Sequence, residues 1–252
     1  MNDMAAALHP DATAPGLSQG ERIIDTFIAP SKTFEDIRRS ASWWLPFLLM
    51  VVLGYAFTFA MQKKIGFAQL VENTIRMNPK AAERMANVPP EQAAQQKKVM
   101  EYGFKATFYA YPLFILAFFA FCAVILWATV NFGLGGVSKY SQVLAVIVYA
   151  WLPSILKSIL ITVMIFAGGD PDTFDLNNPV GTNPGFFLGP DSAAWLKSLL
   201  SSLDIFTIWS LVLLAIGLAI VARVKRGSAM AAVFGWFIII LFVKTAYTAF
   251  AG

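Results

Sequence analysis

The chain has one cysteine, one histidine and little charge in its 252 residues. Cys122 alone forms no intramolecular disulfide and no thiolate metal cluster, and its place among Phe and Ala in an apolar run makes it an inert apolar residue. His9, the one imidazole, sits in a polar N-terminal stretch, which excludes histidine-rich metal sites and a Ser-His-Asp relay in its ordinary form. Charged residues are 13% of the chain against 58% hydrophobic ones, where soluble domains carry about 25% and 45–50%. That leaves too little polar surface for a water-facing fold. The net charge is only +4, and the basic residues are dispersed rather than gathered in a stripe, so no nucleic-acid binding is expected. Residues 1–17 have neither the basic start nor the apolar run of a cleavable leader and are expected to form a disordered tail.

What the chain does have is long apolar runs. Crossing a bilayer takes roughly 17–25 residues, and five stretches qualify, at about 43–61, 108–132, 143–167, 205–222 and 229–250. Their apolar residues are continuous rather than alternating, so the spans are helices and not barrel strands. The expected fold is all-α: a polytopic membrane protein, a bundle of five transmembrane helices with interfacial amphipathic helices. Pro46 and Pro112 fall in first turns, where a missing N–H costs little. Pro153 lies well inside the third span, which predicts a kink and a Tyr149 carbonyl deprived of its usual donor. Trp43, Trp44, Tyr109 and Tyr111 stand where an aromatic belt belongs.

Residues 18–42 are expected to be interfacial amphipathic helices. Ser18 and Glu21 have capping-box spacing, and Ile23, Ile24, Phe27 and Ile28 follow at helical intervals; after Pro30, Phe34 and Ile37 stand against Lys32, Glu35, Asp36, Arg38 and Arg39. Trp195, Leu196, Leu199, Leu200 and Leu203 repeat the pattern ahead of the fourth span. The 62–107 segment is long and polar, and it is expected to be a soluble helical loop divided at Pro79, Pro89 and Pro90. Residues 168–191 have the Gly, Pro, Asn and Asp density of an irregular loop.

Five spans place the termini on opposite sides. With the N-terminus inside, the inner segments hold eight basic residues and the outer ones nine, so the raw count does not choose. Local placement favours a cytoplasmic N-terminus and an outside C-terminus: Arg38 and Arg39 precede the first span, Arg223, Lys225 and Arg226 fill the short fourth connection on the same side, and Asp170, Asp172, Asp175 and Asp191 fall opposite.

Three blocks resemble the Yip family (Ypt-interacting protein one), its bacterial branch in particular. They are Phe27-x-x-Pro30-Ser31-Lys32-Thr33-Phe34 with Ile37, leading to Trp43-Trp44-Leu45-Pro46; then Gly135-Gly136, Lys139 to Val143 and Tyr149-Ala-Trp-Leu-Pro153; and Leu203-Asp204-Ile205-Phe206 with Trp209 and Gly217. The resemblance implies a five-helix membrane domain with a cytoplasmic N-terminus, in the plasma (inner) membrane if the source is bacterial. Eukaryotic members are linked to Rab-type GTPases and vesicle traffic. The family brings no catalytic motif, and this chain departs from it in the long charged loop after the first span.

Lys157, near the middle of the third span, is the sharpest functional candidate, because an ionised lysine there costs at least ~2.5 kcal/mol on insertion. Pairing with Asp204 or a freed carbonyl would make it structural; with Pro153 and Tyr149 it would form an intramembrane polar site. Asp204 reads first as the N-cap of the fourth span, a role compatible with pairing to Lys157, and Lys244 as a snorkelling residue. Asp170, Asp172 and Asp175 lack EF-hand spacing and read as turn residues rather than a metal site. Gly133, Gly135 and Gly136 read as a helix end, and Gly54, Gly217 and Gly235 as close-packing points. The resulting expectation is a non-enzymatic membrane organiser without a cofactor, its partners membrane lipids and another membrane protein or a second copy. The alternative is a small transporter or channel with a polar midplane site at Lys157 and Asp204.

Overall fold

The computed structural model describes residues 16–189 and 192–251, so His9, Asp191 and most of the expected disordered tail lie outside the described residues. The described chain begins with two short helices, α1 (Gln19–Ile28) and α2 (Pro30–Arg39). Ser18 opens α1 with a reciprocal cap: the Glu21 amide donates to Ser18 Oγ at 3.2 Å and the Ser18 amide to Glu21 Oε2 at 2.8 Å. Pro30 stands at the first position of α2, where its fixed φ suits a helix start and its missing N–H leaves no gap. The pair is docked on the bundle rather than loose. Its apolar residues divide: Ile24 and Ile28 point outward, while Phe34 and Ile37 are fully buried.

Next come α3 (Trp44–Lys64) and three helices of the long connection, α4 (Phe67–Arg76), α5 (Pro79–Ala86) and α6 (Pro90–Tyr109). The second span is α7 (Tyr111–Ala128), extended by a π-helical turn through Gly133. The third is broken in two, α8 (Tyr140–Ala150) and α9 (Pro153–Phe166). A loop with two 3-10 turns leads to α10 (Ala194–Ser201), then α11 (Ile205–Ala222) and α12 (Arg226–Ala251). Among the described residues, five helical segments are long and apolar enough to cross a membrane, and the molecule is a five-span helical membrane protein.

Helix α8 is apolar on every side and sits at the centre, with each residue from Val143 to Ala150 buried. It packs on α7 and α11, while α3 packs on α9 and α12 on α11. Helix α12 keeps most of its large side chains exposed and α7 buries only Phe119 and Leu126 of its large ones, as lipid-facing helices do. The centre is tight because Gly217 of α11 admits two side chains: a Cβ there would meet Val146 Cγ1 at 2.5 Å and the Phe34 ring at 2.9 Å. Gly54 of α3 makes similar room for the Tyr111 ring.

Pro153 breaks the third span as expected, but the Tyr149 carbonyl is not left idle. The chain tightens at Trp151 and Leu152, and the Leu152 amide donates to it at 3.1 Å. The 62–107 connection likewise does more than link two spans. Helix α4 buries Phe67, Leu70, Val71 and Ile75, and Phe67 and Leu70 form a second, smaller core with Met61, Ile161, Ile165, Phe174 and Val180. Asn73 Nδ2 ties α4 to the later loop, donating to the Pro171 carbonyl at 2.8 Å and the Phe174 carbonyl at 3.0 Å. One end of the bundle is thus covered by α1, α2 and the short turns; the other by a layer made of both long connections.

Gly217→Ala forces buried Val146 and Phe34 to move, and overpacking of this kind costs about 1–3 kcal/mol. Unfolding in mixed micelles should show a lowered midpoint for this variant, and an unchanged one for Gly235→Ala, where a Cβ meets nothing.

Candidate functional site

Asp204 precedes α11 in extended backbone, so its side chain turns back onto the first amides: Oδ1 accepts from the Phe206 N–H at 3.0 Å and the Thr207 N–H at 3.4 Å. Its other oxygen accepts from Lys157 Nζ at 2.9 Å and from the Thr182 hydroxyl. The Thr182 carbonyl also takes the Ile205 N–H at 3.1 Å, so one loop residue grips the start of α11 through both main chain and side chain. The Asp204 side chain is 3% exposed and the Lys157 side chain 27%. Burial alone would raise the Asp204 carboxyl; the Thr182 hydroxyl, the Lys157 ammonium and the Thr207 amide outweigh it and hold the group below the ordinary carboxylate range.

The pair is therefore a junction of three pieces of chain. Lys157 stands nine residues before the end of α9, roughly 13 Å below it at 1.5 Å per residue. The 168–204 loop folds back to that level, burying Asn178, Val180 and Asn183 on the way. Asp204 caps the end of the fourth span rather than crossing its middle.

Of the four residues singled out in the sequence, the structure brings Lys157 and Asp204 together. Pro153, one turn before Lys157, starts α9 and sets the break. Tyr149 turns elsewhere: its hydroxyl donates to Gln19 Oε1 at 2.9 Å, on α1. There it meets a second buried polar cluster, which sequence spacing does not announce. Arg22 donates through Nε to Asp36 Oδ2 at 2.7 Å and through Nη1 to the Ser40 carbonyl at 2.9 Å, and its side chain is 3% exposed. Thr26 and Thr33 hydroxyls both donate to the Arg22 carbonyl. The one signal in the sequence is an arginine next to the four apolar residues of α1, Ile23, Ile24, Phe27 and Ile28.

The remaining candidates have local duties. Lys244 Nζ donates to Ser202 Oγ at 2.9 Å, joining α12 to the end of α10. Asp170 caps a 3-10 turn and Asp175 faces Lys197 at 3.6 Å. Gly136 lies against the end of α11, its amide donating to the Val130 carbonyl while the Val137 amide takes the Ala222 carbonyl at 3.0 Å. A cavity of about 410 Å³ opens in the layer above the second core, walled by Ile65, Met164, Phe174, Phe186 and Leu188, with Asp175 and Lys197 at hand.

Compared with known proteins, the chain matches the model of one family, the Yip1 domain, over residues 24–246. No curated protein and no solved structure matches it.

Two predictions follow from the two buried pairs. Arg22→Met leaves Asp36 buried without its cation and should cost about 3–5 kcal/mol in unfolding free energy, whereas Arg22→Met with Asp36→Leu should recover most of it. Asp204 titrates lower folded than unfolded, so its stabilisation is complete above the ordinary carboxylate range and is lost as the pH falls below it. Melting profiles on acidification should show a steeper fall for the native chain than for Asp204→Asn, which starts lower at neutral pH.

Proposed function

The chain belongs to the Yip1 domain family, and from that premise we propose that it is a non-enzymatic membrane organiser, a protein that works by holding other membrane components at its ends. One observation carries this reading: the charge inside the spans is engaged in joining pieces of the chain. Lys157 and Asp204 fasten a loop to α9 and α11, and Lys244 fastens α12 to α10. What remains for contact lies at the two ends. Helix α6 has no buried residue along its 20 positions and presents Val99 and Tyr102 outward, and α1 presents Ile24 and Ile28. The partners that suit such surfaces are lipids and another membrane protein or a second copy.

An N-terminus in the cytoplasm and a C-terminus outside is the orientation we favour, in a plasma membrane if the source is bacterial. Arg226 Nη2 donates to Ser31 Oγ at 3.2 Å, so the basic turn after α11 meets the start of α2 beside Lys32, and this local gathering of basic residues supports a cytoplasmic placement of that face.

The second reading, a small transporter, draws on the partial exposure of Lys157 beside a broken span. The two readings separate in one pair of measurements. A photo-crosslinking residue in place of Tyr102 should give a discrete adduct in intact membranes, and Lys157→Leu with Asp204→Leu should keep it. Purified protein in vesicles should pass ions and small solutes no faster than protein-free vesicles. Flux abolished by the double leucine variant, with no adduct from Tyr102 or Val99, would overturn the organiser reading in favour of transport.

A further inference from the structure

The chain's whole formal surplus of charge sits in one place. Residues 62–107 hold eight basic and four acidic residues, a net +4, and the rest of the chain balances eleven against eleven. This segment is held at the mouth of the bundle, because α4 is anchored in the second core and α6 runs straight into the second span.

Its lowest lysines are arranged with respect to depth. Helices α3 and α9 pack side by side and end together, at Lys64 and Phe166. The Lys63 ammonium stands 5.9 Å from the ring centre of Phe59, and that of Lys64 stands 5.3 Å from that of Phe166. Both rings are exposed, at 63% and 48%, near the ends of apolar spans. A ring so placed lies among acyl chains, and a lysine stem running past it delivers its ammonium to the headgroup plane. Among the described residues neither ammonium has a carboxylate within ion-pair distance, whereas Lys97 pairs with Glu72 and Lys105 with Glu101, both at 2.7 Å.

We infer that the end of the α3–α9 pair is a binding site for anionic phospholipid, with the headgroup phosphate at the Lys63 and Lys64 ammonium groups around the end of α3, the acyl chains along Phe59 and Phe166, and the positive field of α4 to α6 above. The inference rests on the spans lying in a bilayer and is independent of which protein the organiser holds. Phosphate and aromatic-flanked ammonium groups complement each other in charge and in depth, and each basic residue near an anionic surface is worth about fivefold in local lipid occupancy.

The test is lipid retention by the full chain. Protein reconstituted in phosphatidylcholine containing a minority of phosphatidylglycerol is extracted, and its bound lipids are counted by native mass spectrometry. The native chain should retain phosphatidylglycerol at least about fivefold above its bilayer fraction. Lys63→Gln with Lys64→Gln should abolish the enrichment, and Lys63→Arg with Lys64→Arg should keep it. For the native chain alone, high salt during extraction should shrink the enrichment as screening shortens the field. Retention in proportion to the bilayer, or enrichment that survives Lys63→Gln with Lys64→Gln in a correctly folded sample, overturns the proposal. Full displacement by millimolar inorganic phosphate also overturns it, since the site would then hold a free anion. An acidic soluble partner as the true occupant would register as the first of these outcomes.

Discussion

A polar group carried into an apolar interior without a partner costs several kcal/mol, and a charge costs more. The architecture of this chain follows from where its few such groups go. Asp204 meets the demand four times over, taking two helix amides, one hydroxyl and one ammonium. Without the carboxylate, Lys157 would be a cation at depth beside a broken helix, the first amides of α11 would lack their cap, and the loop through Thr182 would lose its hold. A single side chain therefore sets where α11 begins and how far the 168–204 loop descends.

The same rule governs the opposite end. Arg22 and Asp36 face each other across the α1–α2 hairpin and are closed off by the Ser40 carbonyl and two threonine hydroxyls. That closure lets a hairpin with buried polar residues fit into an apolar bundle, with Phe34 seated at Gly217. The two ends differ in kind. One is a compact plug whose Phe34 and Ile37 are part of the main core of the bundle; the other is a broad layer with a separate core, a cavity and the chain's surplus of positive charge. Family membership fits this division, since the Yip1 domain match runs from within α1 almost to the end of α12 and so includes both ends and everything between.

Asp204 and Lys157 also show why an intramembrane charge is ambiguous in a sequence. The cost of burying lysine says that it needs a partner, and neither reading of that partner is excluded by spacing. Forty-seven positions separate the two residues, and what joins them is the return of an irregular loop. Thr182, which completes the junction, is one hydroxyl in a stretch of turn residues and carries no periodic signal of its own. The Arg22–Asp36 pair is hidden for a related reason: an amphipathic hairpin on a lipid surface and one docked into a bundle have the same helical spacing, and they differ only in whether a Gly217 stands opposite.

The sequence by itself determined the class of the molecule, because a chain with 58% hydrophobic residues in runs long enough to cross a bilayer has no other way to satisfy its backbone than by helices in lipid. It also determined the break at Pro153, the cap at Ser18 and the capping character of Asp204, each of which depends on residues within one turn. Tertiary structure alone decided that Tyr149 answers to α1 and not to Lys157, that α4 builds a second core with a distant loop, and that Lys64 comes to rest over the ring of Phe166. Those outcomes depend on which helix faces meet, and a contact between elements dozens of residues apart is fixed by packing and depth, quantities that no local pattern encodes.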